Sequence, residues 1–330
     1  MQIALIYNQP MPSSYDMLGE SEAENGVLDA VKAVRRAIRA LGYDYVELPL
    51  NLPIESVYET LSKLRVNIVF NLFEGFAGMP ATEAVIAGFV EKLGLPFTGS
   101  SSQTLTLALD KAAANQRLRS NGVRTANQQL LTARDLDRFH LGFPCIVKPR
   151  ADDASHSLSE KSVVFDMDAL SREVDAMVNR YDGTAALVEE FLEGREFNAT
   201  VWGVDSPVVL PLSEIIYTLP EGLPKILTFA AKWEPKSMYF AHTAVQCPAN
   251  VTPDLRAAIQ STALMAFKAI GCQGYGRVDM RLNKDGHPVV MEVNANPDIA
   301  PGTGVARQVK AARLSYKAMV SKIIDFGLVK

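Results

Sequence analysis

The chain has 330 residues, 48% of them hydrophobic and 21% charged, enough to fill two or three ordinary globular cores. A formal net charge of −4 argues against a nucleic-acid or anionic-membrane surface as partner. No apolar run approaches the roughly 20 residues of a membrane span, the opening MQIALIYNQP lacks the basic stretch of a signal peptide, and Cys145, Cys247 and Cys272 stand isolated, so a cytoplasmic protein with reduced thiols is expected.

Residues 2–7 read as a buried strand. A polar loop follows, then an amphipathic helix over 24–41, with Val27, Ala30, Val31, Val34, Ile38 and Leu41 at helical spacing and Gly42 as its stop. A strand at 45–48, a helix at 54–64 and a strand at 67–72 complete an alternation that predicts a parallel sheet covered on both faces. No GxGxxG follows the first strand, so a dinucleotide site has no motif support. Residues 80–93 are helical, and Lys111 opens a helix running to about Ser120. The apolar strand 143–149 ends in Lys148 beside a polar loop, 151–159, which places that lysine to meet a phosphate as a point charge. Residues 186–203 read as strand, short connector and strand, and 211–215 continue the sheet. A long loop over 218–247 carries Lys225, Lys232, Trp233 and Lys236; loops of that length are usually functional or disordered. Helices at 254–270 and 311–326 frame the most informative stretch.

That stretch is 274–304, GYGRVDMRLNKDGHPVVMEVNANPDIAPGTG. Two apolar-rich runs, 276–282 and 287–294, flank an Asp-Gly turn signal and predict a hairpin. Side chains alternate along strands, so Val278, Met280, Leu282, Val289, Met291 and Val293 form a core face, and Arg277, Asp279, Arg281, Glu292 and Asn294 share the other. A two-residue Asp285-Gly286 turn sets Asp279 opposite Glu292 and Arg277 opposite Asn294. A four-residue turn keeps the same groups on one face, whereas a three-residue turn would break the arrangement. Opposed carboxylates destabilise a hairpin unless a hard divalent cation lies between them. Asp, Glu and an Asn carbonyl suit Mg²⁺, with Mn²⁺ as the alternative, and Mg²⁺ also takes phosphate oxygens. A solvated hairpin face is the competing reading; the Asn-Ala-Asn-Pro ending and the Gly/Pro loop after it favour a metal–phosphate site.

At these residues the chain resembles the metal-binding hairpin of ATP-grasp ligases, and D-alanine–D-alanine ligases and their relatives most of all. The resemblance covers most of the chain and is weakest in the first 70 residues. It implies an α/β ATP-grasp fold with a Rossmann-like N-terminal domain (1–104), a central subdomain (105–191) and a C-terminal subdomain carrying the hairpin (192–330). It implies that Lys111, Lys148 and Lys232 contact ATP phosphates. Around the adenine it implies Glu189, Glu190 and Leu192, with Glu189 facing the amino group and Leu192 offering backbone groups, and it gives the ribose hydroxyls to Glu196. Asp279, Glu292 and Asn294 would hold one or two Mg²⁺ ions, and Arg277 would stabilise the acyl phosphate and its oxyanion. The family's glycine-rich phosphate loop is replaced here by Asp153-Ala154-Ser155-His156-Ser157, in which Ser155 and the loop backbone could still donate. A mobile loop over the site matches 218–247.

Two departures concern the amino-acid side. The first-strand loop, Asn8-Gln9-Pro10-Met11-Pro12, lacks the family's glycines, although Glu22 or Glu24 could replace its glutamate, and Asp298 stands after Asn296-Pro297 where those ligases usually have glycine. The implied activity is an ATP-dependent carboxylate–amine ligase acting on small molecules, amino acids foremost, through an acylphosphate with release of ADP and phosphate; a homodimer is the assembly to test for. A regulatory nucleotide-binding module and a small-molecule kinase without an amine acceptor are the alternatives. The complete set of Arg277, Asp279, Glu292 and Asn294 argues against the first of these.

Overall fold

The computed structural model describes residues 1–10, 21–76, 79–151 and 158–329, with the side chains of 21–25 left aside. In the first hundred residues the alternation of apolar strands and amphipathic helices builds a parallel sheet in the order β2 (Asp44–Leu50), β1 (Gln2–Asn8), β3 (Ile68–Asn71). Consecutive side chains of β1 enter opposite cores. Ile3, Leu5 and Tyr7 pack on α1 (Ser21–Ala40) and the C-terminal helix, while Ala4 and Ile6 join Val57 and Leu61 of α2 (Ile54–Ser62) and Ile86 and Val90 of α3 (Thr82–Lys92). Burial of both faces is what a crossover-linked parallel sheet requires.

Two further helices, α4 (Ser102–Leu109) and α5 (Lys111–Ser120), lead to an antiparallel sheet ordered β4 (Gln128–Leu131), β7 (Ala186–Glu190), β5 (Cys145–Lys148), β6 (Val163–Val164), backed by α6 (Met167–Arg180). The strand expected over 143–149 is trimmed to four residues because Pro144 and Pro149, which have no N–H to give a ladder, bound it. The third sheet takes β8 (Glu196–Gly203), β9 (Val208–Val209), β10 (Ser213–Tyr217), β11 (Thr243–Gln246), β12 (Gly274–Leu282) and β13 (Pro288–Asn294), ordered β11-β10-β8-β12-β13 with β9 also on β8. One face of this sheet, with Phe197, Ala199, Val278, Met280, Val290 and Val293, packs on α9 (Pro253–Ile270) in the same core as α2 and α3.

Three sequence expectations are corrected. The stretch 218–247 is not a plain loop: it holds α7 (Phe229–Trp233) and α8 (Met238–Ala241), capped by Thr228 and Ser237, and then β11. The helix expected over 311–326 begins five residues later, as α11 (Tyr316–Leu328), while Ala311 ends a separate helix, α10 (Gly304–Ala311); Arg313 lies between them with φ 61°, and the Ser315 hydroxyl accepts the Ala318 N–H at 3.1 Å to start α11.

The third concerns the hairpin. Its turn has three residues, Lys284, Asp285 and Gly286: Asn283 N–H donates to His287 O at 2.9 Å, Gly286 N–H to Asn283 O at 3.0 Å, and Gly286 takes φ 79°, a conformation that favours glycine. Leu282 therefore faces Pro288 and Met280 faces Val290. A β-bulge then places one extra residue, Met291, before Asp279 meets Glu292 and Arg277 meets Asn294. The odd turn and the bulge cancel, so the anticipated pairs form by another route. Val290 rather than Met291 takes the core position, Met291 lines the cavity, and Val289 turns to pack against Leu192 and Ala126. Among the described residues no helix is long and apolar enough to cross a membrane, and all three cysteines are free.

Candidate active site

A cavity of ≈ 930 Å³ opens between the second and third sheets and the first-sheet loops. The polar face of the third sheet forms its floor. Strand register sets Glu196 against Arg281, Asn198 against Asp279, and Thr200 against Arg277, with Glu292 and Asn294 on the next strand. All these side chains share a face because strand periodicity is two.

The opposed carboxylates are already neutralised. Arg277 clamps Asp279 with Nε and Nη2, each at 2.8 Å, and Asn198 and Asn294 donate to the same carboxylate at 2.7 and 3.1 Å. Glu292 receives Lys111 Nζ at 2.5 Å. The repulsion expected from the sequence is absent because cations from neighbouring elements, not only a metal, can balance an acidic pair. Burial alone would raise the Glu292 carboxyl; Lys111, with help from Lys148 and Arg277, outweighs it and brings the pKa down to about 2. Burial lowers the Lys232 ammonium and Arg277 repels it, against the pull of Glu292, Asp279 and Glu196. Lys111, Lys148, Lys232 and Arg277 thus surround one pair of carboxylates.

Local chain geometry delivers the cations. Asp110 caps α5 by accepting Ala113 N–H at 3.1 Å and is gripped by Arg150, while Lys111 N–H donates to Arg150 O at 3.0 Å. The start of α5 is thereby tied to the end of β5, which brings Lys111 and Lys148 into one wall. Lys111 is 8% exposed rather than a surface helical lysine. Lys148 pairs with Glu189 at 2.6 Å, both buried, and Asn115 donates to Glu189 at 2.8 Å. Lys232 comes from α7, whose Trp233 ring lies against α1 at Gly26.

At the connector between β7 and β8, Arg281 donates to Leu192 O at 2.7 Å, to Lys225 O, and to Glu196 through Nε at 3.0 Å, while Tyr217 donates to Glu196 at 2.7 Å. The connector lies so close to β12 that a Cβ at Gly194 would sit 2.1 Å from Leu282 O. Glu190 ends β7 exposed, with its carboxylate accepting from Asn127 at 3.2 Å, and lines the same cavity as the buried Glu189. Ser155 and His156 lie outside the described residues.

Asp279, Glu292 and Asn294 offer an all-oxygen set on one face, the chemistry a hard cation takes. Among the described residues no group of three His, Cys, Asp or Glu side chains is placed to hold a metal ion, so a cation here depends on the Asn294 carbonyl and on ligand oxygens. Those donors fit Mg²⁺ in company with a phosphate.

Residues 115–325 match the family model for the D-ala D-ala ligase C-terminus. The chain belongs to this family. The D-alanine–D-alanine ligase of Nitrosospira multiformis is 32% identical over 321 residues, 95% of this chain and 96% of that one. An uncharacterised protein of Sinorhizobium fredii is 32% identical over 258 residues, 78% of this chain and 74% of its own. The crystal structure of the D-alanine–D-alanine ligase from Bacillus anthracis complexed with ATP superposes with a TM-score of 0.75 at 22% identity, covering 100% of this chain and 97% of that one. As a member of the D-Ala–D-Ala ligase family the protein is a carbon–nitrogen ligase on an α/β ATP-grasp fold.

Sequence reasoning assigns no role to Asn115, Asn198, Tyr217 or Arg281. Three of these carry a signal: Arg281 already stood on the polar hairpin face with Asp279 and Glu292, Asn115 lies four residues after Lys111 on one helix face, and Asn198 two after Glu196 on one strand face. Tyr217 reaches the site only through the sheet order.

Proposed function

We propose that the protein joins a small carboxylate to an amine through an acylphosphate, releasing ADP and phosphate. The observation that carries this reading is the ring of Lys111, Lys148, Lys232 and Arg277 around Asp279 and Glu292 at the floor of a cavity large enough for a nucleotide and a small acid. Phosphoryl transfer asks for positioning and charge neutralisation more than covalent help from the protein. Lys111, Lys148 and Lys232 neutralise the phosphates as one is passed to the substrate carboxylate, and Arg277 stabilises the acylphosphate and the oxyanion formed when the amine attacks. Asp279, Glu292 and Asn294 would hold Mg²⁺, or Mn²⁺ in its place, which neutralises phosphate charge. Glu189 and Leu192 would receive the adenine, with Glu190 at its rim, and Glu196 the ribose, while Ser155 would add a donor above the phosphates. In this reading residues 105–191 and 192–330 clasp the nucleotide and 1–104 contribute the wall that meets the second substrate.

The test is a phosphate-release screen of amino acids, singly and in pairs, with MgATP, followed by chromatography of nucleotide and product. ADP and an amide are expected. AMP with pyrophosphate would overturn the acylphosphate route, and a phosphorylated acid with no amide would return the kinase reading. Because the first-strand loop and Asp298 depart from the D-alanine pattern, D-alanine as both donor and acceptor should give a kcat/KM below roughly 10⁴ M⁻¹s⁻¹, the lower edge of the usual enzyme range. Steady-state kinetics above that limit would show that this loop does not set the substrate.

A further inference from the structure

The wall of the cavity beyond Arg277 is acidic. Asp298, Glu74 and Glu83 line it, and all three act electrostatically on the buried Tyr275 hydroxyl. Asn296 donates to Glu83 at 2.7 Å and accepts from Tyr275 at 3.1 Å, which ties this wall to the end of β13.

Asp298 differs from the other two. One of its carboxylate oxygens accepts Ala300 N–H at 2.7 Å, and its backbone carbonyl accepts the Thr303 hydroxyl at 3.0 Å, so the residue is held from both sides. Among the described residues no ion pair or second hydrogen bond reaches its other oxygen, although the residue lines the cavity and Arg277 lies within electrostatic reach. Arg277 is already committed to Asp279 through two hydrogen bonds. A fixed carboxylate with one open oxygen, beside the arginine that would hold the acylphosphate, matches a ligand that carries a positive charge and must react there.

We propose that Asp298 binds the incoming amine as its ammonium and accepts the proton that frees the attacking nitrogen. This assignment rests on the ligase reading. The nitrogen lone pair forms the C–N bond at the acyl carbon, and the C–O bond to phosphate breaks with its electron pair on the leaving oxygen. Of the two protons the ammonium loses, one passes to Asp298 and then to solvent, and the other leaves on the phosphate. Burial supports the role: it holds the Asp298 carboxyl above its ordinary range, with Asp29 adding to the effect, against the Ala300 N–H and Arg277. The glycine that the resemblance puts at this position in those ligases would offer no carboxylate.

Hydroxylamine separates this step from the one before it, because it is uncharged at neutral pH and captures an acylphosphate without surrendering an ammonium proton. Wild type, Asp298→Asn and Asp298→Gly are supplied with MgATP, a mixture of D- and L-amino acids and ammonium chloride, with and without hydroxylamine. Amide and hydroxamate are quantified, and a thermal shift with MgATP confirms that each variant folds and binds nucleotide. In both variants amide formation should fall by roughly 10²–10⁴-fold, the usual contribution of general acid–base catalysis, while hydroxamate formation stays within about threefold of wild type. Undiminished amide formation overturns the assignment. So does an equal loss of both products with MgATP binding intact, which would put Asp298 in the phosphoryl-transfer half. A wild type that consumes hydroxylamine but no protonated amine also overturns it. A wild type that yields neither product refutes the ligase reading itself, and this inference with it.

Discussion

Glu292→Gln is expected to remove nearly all ATP turnover and to lower stability in the absence of metal. The substitution keeps the shape of the side chain and deletes its charge. Glu292 is the partner of Lys111, whose side chain is 9% exposed, so the change weakens the balance of a cation that burial has already stripped of water. The depressed Glu292 pKa converts to a contribution on the order of 3 kcal/mol at neutral pH. A solvated surface glutamate would change stability by less than about 0.5 kcal/mol and leave activity intact.

The pH dependence gives the sign. A carboxyl whose folded pKa is held at about 2, below an unfolded value of 4.5, stabilises fully above pH 4.5 and loses that contribution as pH falls towards 2. The stability gap between wild type and Glu292→Gln should therefore be widest at neutral pH and close across that window. Urea unfolding at several pH values measures it, and MgATP should raise the melting temperature of the variant less than that of wild type. A variant with full turnover, or a gap that does not vary with pH, would take Glu292 out of the site.

Much of the fold was legible because its elements announce themselves locally. The parallel sheet followed from apolar strands alternating with an amphipathic helix whose stripe runs from Val27 to Ile38, and the β7–β8 connector from its two flanking strands. The hairpin shows where local reading stops. Asp285-Gly286 is a turn signal for two residues or for three, and nothing in the composition of β13 announces that Met291 is extra; only packing against α9 decides that Val290 is the core residue. The break at Arg313 was hidden for a similar reason, because arginine carries no turn signal although it takes a positive φ here. For the site, residue types and register on β12 and β13 were readable, whereas the partners of those residues were not. The Lys111–Glu292 contact spans 181 positions and Arg281–Glu196 spans 85, and such pairings depend on sheet order rather than on any local pattern.

The pairing of Lys148 with Glu189 leads to an expected result of comparable size. Lys148→Met keeps the length of the side chain and removes its charge, leaving Glu189, whose side chain is 4% exposed, with the neutral amide of Asn115 as a hydrogen-bond donor in place of a cation. Breaking a buried ion pair from one side costs about 3–5 kcal/mol, because the surviving charge has neither water nor counter-ion. The double variant Lys148→Met/Glu189→Gln removes that stranded charge while Asn115 can still donate to the amide oxygen, so most of the lost stability should return. Nucleotide binding should not return with it. If Lys148 meets the phosphates, losing a charge-assisted contact weakens ATP by roughly 10–100-fold in the single variant, and by the same factor in the double variant when compared with Glu189→Gln alone, which accounts for any lost adenine contact. Denaturant unfolding together with calorimetric titration of MgATP resolves the two effects. A purely structural ion pair predicts that ATP affinity recovers along with stability in the double variant, and that outcome would remove Lys148 from the phosphate site.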